Sequence, residues 1–179
     1  MKFQSPLIVL ASLVSAVLSA TVTDIINDAH NISTQITTLD NAINAFPTTS
    51  GSLVAALGIH TDAVNLGAAL NKELSDVLSL PKPGITEANG TTIFDIAEGF
   101  EPIVLDALNA FVTKKPAFQA LPISGIPALV KQDLINLNAS MDMFDAQIIS
   151  FVPPDLVASA EALKAAIDAG FATAIAAYQ

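Results

Sequence analysis

The sequence predicts an all-α protein, an up-and-down bundle of about five amphipathic helices, and three observations predict it. Large apolar residues recur at alternating spacings of three and four through five long segments. Those segments are separated by the strong breakers Pro47 to Gly51, Leu80 to Gly84, Pro116 to Pro127 and Pro153-Pro154. No stretch shows the period-two alternation and β-branched clustering of a strand.

The first segment is the most regular. Val22, Ile25, Ala29, Ile32, Ile36, Leu39, Ile43 and Phe46 form one stripe, with Asp24, Asn27, Asp28, Asn31, Gln35, Asp40 and Asn44 between them. A helix with a single apolar seam is not stable alone in water and needs partners with matching seams. The second segment runs from about Ser52 to Leu78, with Ser50 or Ser52 as its cap. Its seam reads Leu53, Leu57, His60, Val64, Gly67, Leu70, Leu74 and Val77, flanked by alanine and glycine.

A polar loop through Glu87-Ala-Asn-Gly90 leads to a third helix from about Thr91, carrying Ile93, Ala97, Phe100, Val104, Leu108 and Phe111. Pro102 lies inside it, and because the spacing keeps its phase across Pro102 the helix is expected to kink and continue. Lys114-Lys115-Pro116 is expected to end it. A fourth helix starts near Pro127, where proline is tolerated. It carries Val130, Leu134, Leu137, Met141, Phe144, Ile148 and Phe151. The fifth starts at Pro154 or Asp155 and carries Leu156, Ala160, Leu163, Ile167, Phe171, Ala174 and Tyr178. Shallow 3.5-residue seams of this kind pack as a bundle.

Residues 1–20 read as a secretory signal peptide: Lys2, an apolar run through Leu18, then small Ser19 and Ala20. The run is short for a membrane anchor. Residues 21–179 then form a single domain, long enough to bury a core. All seven basic residues are lysines against 17 acids, for a net charge of −10. Loss of Lys2 makes the mature chain one unit more negative. This balance excludes a nucleic-acid partner, which needs a basic footprint. The chain has no cysteine, so an exported product must hold together by core burial. Asn31-Ile-Ser33, Asn89-Gly-Thr91 and Asn138-Ala-Ser140 are glycosylation sequons. Asn89 is the favoured one because it reads as loop.

Reactive chemistry finds little support. His30 lies among acids on a polar face, and His60 on an apolar seam reads as a hydrogen-bonded core or pocket histidine. Only loose pairs such as His60 with Asp62 are visible, which is short of the three or four ligands a zinc site needs. Neither a metal nor a cofactor is expected. No Gly-x-Ser-x-Gly elbow, cysteine nucleophile, phosphate loop or His-Glu-x-x-His occurs. The acid pairs Glu98 with Glu101 and Asp142 with Asp145 are expected on solvated outer faces, where they would do no acid–base work. The expectation is therefore a protein without enzymatic activity.

The apolar seams are the remaining candidate for function. Small residues beside a seam ordinarily just let helices pack closely. They also allow a lengthwise slot between helices, a common ligand site in bundles, and an uncharged slot suits an alkyl chain. The residues expected to line it are Ile32, Ile36, Leu39, Ile43, Leu57, His60, Val64, Phe100, Val104, Leu137, Met141, Phe144, Ile167 and Phe171. Alternatively, the helices part and lay their seams on an oily surface. The polar faces argue against a membrane-spanning protein, since no segment after residue 20 reads as apolar all round over bilayer length.

The helix Asp24-Ile-Ile-Asn-Asp-Ala-His-Asn-Ile-Ser-Thr-Gln-Ile-Thr-Thr-Leu-Asp40, the stretch Lys114-Lys-Pro-Ala-Phe118 and the ending Phe171-Ala-Thr-Ala-Ile-Ala-Ala-Tyr178 resemble a known family. It is the hydrophobic surface binding protein and cell wall galactomannoprotein family of filamentous fungi, and the likeness spans the whole mature chain. The resemblance implies a helical bundle, secretion with wall association, adsorption to hydrophobic surfaces and recruitment of a secreted polyester hydrolase. In some relatives it implies a long-chain fatty acid held within the bundle. Wall-attached relatives carry a Ser/Thr-rich tail and a lipid anchor signal; neither is seen before Gln179, so covalent attachment is not expected.

Overall fold

A computed structural model describes residues 19–81 and 84–179. The expected signal peptide lies almost wholly outside the described residues, as do Lys82 and Pro83. Five helices form: α1 Val22–Ala45, α2 Leu53–Ser79, α3 Glu87–Gln119, α4 Ile126–Phe151 and α5 Val157–Ala177. No strand occurs among the described residues.

The N-terminal ends of the first three helices are satisfied locally. Thr21 and Asp24 make a reciprocal capping box on α1, while the hydroxyls of Ser52 and Thr86 accept from Ala55 and Asn89 amides on α2 and α3. α4 instead places Pro127 in its first turn, where the missing N–H costs nothing.

Successive helices run in opposite directions, but the neighbours are not simply sequential. α1 packs on α2 and α3, α4 packs on α2, α5 and α3, and α3 also packs on α5. The α2–α3 connection therefore bypasses α1, whose first residues meet the end of α2 through Ser79. At the opposite end, Lys114 donates to the carbonyls of Asn44 and Phe46, and Lys115 to that of Ala177. The two lysines thus serve the exposed carbonyls at the C-terminal ends of α1 and α5.

Four expectations about elements are corrected. Glu87-Ala-Asn-Gly90 is not a loop but the first turn of α3, because Thr86 caps it; the reason for favouring Asn89 as a sugar acceptor falls with that. Lys114-Lys115-Pro116 does not end α3. The helix passes through Pro102 and Pro116 to Gln119 because Ala117 and Phe118 bury there, with Phe118 stacked on Phe46 at 4.4 Å between ring centres. α5 starts at Val157 rather than Pro154 or Asp155.

The fourth concerns the phase of α2. Leu57 and Val64 are 43 % and 53 % exposed, while the buried stripe is Ala56, Ile59, Ala63, Leu66, Ala69, Leu70 and Glu73. Alanines let α2 approach α1 and α4 closely, and that turns the larger Leu57 and Val64 outward.

The contact between α3 and the end of α4 gives a prediction. A Cβ on Gly90 would stand 2.5 Å from the Phe151 carbonyl oxygen, whereas one on Gly99, in the same helix, meets nothing within 4 Å. Gly99→Ala should stabilise by about 0.5–1 kcal/mol through helix propensity. Gly90→Ala should destabilise by about 1–3 kcal/mol, as overpacking against backbone does. Urea unfolding of both variants checks the opposite signs.

Candidate functional site

The apolar seams converge on a central void. It is lined by Ile36 and Leu39 of α1, Leu66 of α2, Val104, Ala107, Leu108 and Phe111 of α3, Leu134, Leu137 and Met141 of α4, and Phe171 of α5. All five helices contribute, and every lining residue is apolar. Its volume is about 20 Å³, room for about one water-sized group. A long acyl chain is many such groups in a row, so the bundle described here is closed and the helices must part to admit one.

Of the fourteen residues expected in the slot, Ile36, Leu39, Val104, Leu137, Met141 and Phe171 come together at this void. Ile32, Ile43, Phe100, Phe144 and Ile167 are buried in the same core but do not line it. Leu57, Val64 and His60 lie outside it. Sequence reasoning missed Leu66 and Ala107 as lining residues. Leu108, Phe111 and Leu134 stood on the expected seams without being chosen.

His60 finds a partner that spacing could not show. Its Nδ1 lies 3.0 and 2.9 Å from the two carboxylate oxygens of Asp133 on α4. Burial raises the Asp133 pKa and the His60 contact opposes that. The pair stands beside an open groove between α2 and α4 of about 480 Å³, lined by Ala63, Val64, Gly67, Ala68, Asn71, Asp133, Asn136, Leu137, Ala139 and Ser140. No third ligand joins it, and no cluster of three or more histidines and acids suited to a metal occurs among the described residues. His30 is exposed, as expected.

The outer-face expectation fails for Asp145. Glu98 and Asp142 are exposed and Glu101 is half-buried, but Asp145 is only 1 % exposed. Neither of its oxygens has a hydrogen-bond partner. Burial pushes its pKa up to about 7, opposed by the charge of Lys164 on α5. Asp145 follows Met141 by one turn, so the phase that buries the seam of α4 carries it inward. Lys164 is taken by Asp142 and Asp168 at the surface.

Glu73 is likewise 1 % exposed, with Oε2 unpartnered and its pKa raised by burial to about 8. Asp28, read as part of a polar face, is buried against Lys72, which donates to both its oxygens at 2.7 and 2.8 Å.

A family model described as hydrophobic surface binding protein A matches residues 22–150. The chain belongs to that family. Hydrophobic surface binding, the first reading of the sequence, is the property for which the family is named. The bundle is also similar to solved structures. One is the crystal structure of Afmp4p in complex with palmitic acid, at 24 % identity over 89 % of this chain and 100 % of that one, with a TM-score of 0.78. Another is ligand binding domain 1 of Penicillium marneffei MP1 complexed with arachidonic acids, at 18 % identity, 89 % and 97 % coverage and a TM-score of 0.74. Domain 2 of the same protein, complexed with multiple arachidonic acids, gives 14 %, 90 %, 97 % and 0.73. At these identities the likeness concerns the fold. No curated protein matches the sequence.

Proposed function

We propose that this family member acts outside the cell, free or associated with the wall, as a non-catalytic protein that binds hydrophobic surfaces and takes a long-chain fatty acid into its core. Recruitment of a secreted polyester hydrolase to the coated surface belongs to the same proposal, as does glycosylation at Asn31, Asn89 or Asn138. Of those three side chains only Asn31 belongs to a fully exposed residue; Asn89 and Asn138 are half-buried on α3 and α4.

The observation that carries the reading is the void at the meeting of all five helices, with its wholly apolar lining. An apolar cavity has no polar partners for water, so apolar groups fill it favourably. Parting the helices by a few ångströms lengthens it along the seams Ile36–Leu39 and Leu137–Met141. The fatty-acid complexes of the structural neighbours support an acyl chain as the occupant.

Native mass spectrometry tests the core part. Purified protein stripped of lipid and then incubated with palmitic acid should gain the mass of one or more fatty acids. Ala107→Leu adds carbon where the void now is, at a cost of about 1–3 kcal/mol. The variant should remain folded by circular dichroism and lose at least tenfold in palmitate uptake. Uptake equal to that of the parent protein would place the acyl chain elsewhere.

A further inference from the structure

We infer that the closed bundle adsorbs through one rigid face, formed by the outer side of α2 and its groove with α4, and that this face takes an uncharged apolar solid such as a wax or polyester. The inference rests on the surface-binding reading above and assigns that reading a place.

From Val54 to Asn71 the fully exposed residues of α2 are valine, alanine, leucine, glycine, threonine and asparagine, without a charge. At 1.5 Å per residue this stretch is about 26 Å long. Val54, Leu57 and Val64 stand 81 %, 43 % and 53 % exposed. The uncharged stretch continues across the groove onto α4 through Asn136, Ala139 and Ser140, with half-exposed Met143 one turn beyond Ala139. The ionisable groups at the groove, Asp133 and His60, are engaged with each other; Asp62, half-buried, is the only other acid in that part of α2.

α2 was expected to have a polar face like the other helices, and between Val54 and Asn71 that face carries threonine and asparagine among apolar residues but no fully exposed charge. It is the one described helix long and apolar enough to cross a membrane by length and composition, and only 33 % of its most apolar window is buried. The buried third lies in the core; the rest is half-buried or exposed, and its exposed part is this surface.

Charge decides the occupant. The exposed acids Asp24, Glu87, Asp95, Glu98, Asp106 and Glu161 stand on α1, α3 and α5, and Asp142, the exposed acid of α4, is paired with Lys164 of α5. No cation stands on the α2–α4 face among the described residues, and Lys72 beyond its end is held by Asp28 and Asp76. A face with no fully exposed charge and no free cation, on a protein of net charge −10, has nothing to offer an anionic headgroup and loses little by pressing on a neutral solid. Adsorption by this route leaves the five-helix core shut.

The test is the double variant Leu57→Asp with Val64→Asp. Both positions are exposed, so the fold should survive with its melting temperature unchanged within about 2 °C. Depletion from solution onto alkyl-coated beads and onto a polyester film should fall at least tenfold, while palmitate uptake by native mass spectrometry stays as in the parent. Equal depletion of parent and variant overturns the face and leaves the surface-binding reading intact. A parent that does not deplete at all overturns that reading and the face with it. Light scattering that shows a parent dimer converted to monomer by the variant also overturns the inference, since the face would then be covered by a second copy.

Discussion

Warmed at pH 8, this protein unfolds at a lower temperature than at pH 5. Glu73 and Asp145 are each 1 % exposed, and burial raises their pKa values to about 8 and about 7. In the unfolded chain both ionise near pH 4. Between pH 4 and their folded values the native state holds protons that the unfolded state has released, so stability falls as pH rises through that window and levels off above it. Asp28, Asp40 and Asp133, also raised by burial, act in the same direction. Asp24 acts oppositely through its Thr21 hydrogen bonds, but it is fully exposed.

Each of the two deeply buried carboxyls contributes on the order of a few kcal/mol to the loss, a sizeable part of the 5–15 kcal/mol that holds an ordinary domain together. A difference of about 10 °C between pH 5 and pH 8 is the expected size. Glu73→Gln with Asp145→Asn keeps the shapes and removes the titration, so calorimetry of the double variant should show a much flatter profile. A parent protein equally stable at both pH values would mean that these carboxyls reach water.

Ile36→Asp abolishes the cooperative fold. Ile36 is 2 % exposed and lines the central void, so the substitution removes a core side chain, at about 2–5 kcal/mol. It also places a carboxylate where no cation or amide can meet it, at several kcal/mol more. The sum is comparable with the whole stability of a domain. Asp40→Asn, one turn along α1 but on its other side, should change stability by no more than about 0.5 kcal/mol. Its oxygen there accepts from Asn44 and faces the charge of Asp106, so the small effect should be a gain. Circular dichroism on heating separates the two: no transition for the first, a parent-like one for the second.

Legibility of the fold varied with the contrast between the two sides of each helix. α1 alternates isoleucine with aspartate, asparagine and threonine, and every residue of its expected seam from Ile25 to Phe46 is buried. α2 is apolar on both sides, so periodicity alone could not fix its phase. Large Leu57 and Val64 were read as inward when small Ala56 and Ala63 take those places. Proline misled at Pro116 because a helix end held by Phe118 stacking on Phe46 tolerates the lost hydrogen bond.

Of the site, the residues on α1, α3, α4 and α5 seams were readable because one heptad-like phase places them all inside. The pairing of His60 with Asp133 was not, since 73 residues separate them and only the α2–α4 packing brings them together. Nor were Glu73 and Asp145, because a carboxylate is ordinarily solvated and sequence alone gives no sign that packing will close over it.

The central claim is that this protein acts through uncharged apolar surface. Depletion onto alkyl-coated beads across a series of sodium sulfate concentrations tests it most directly, because sulfate strengthens apolar contact and screens charge. The account predicts binding that holds or tightens as sulfate is raised. Protein that stays in solution throughout, or binding that sulfate abolishes, would contradict it.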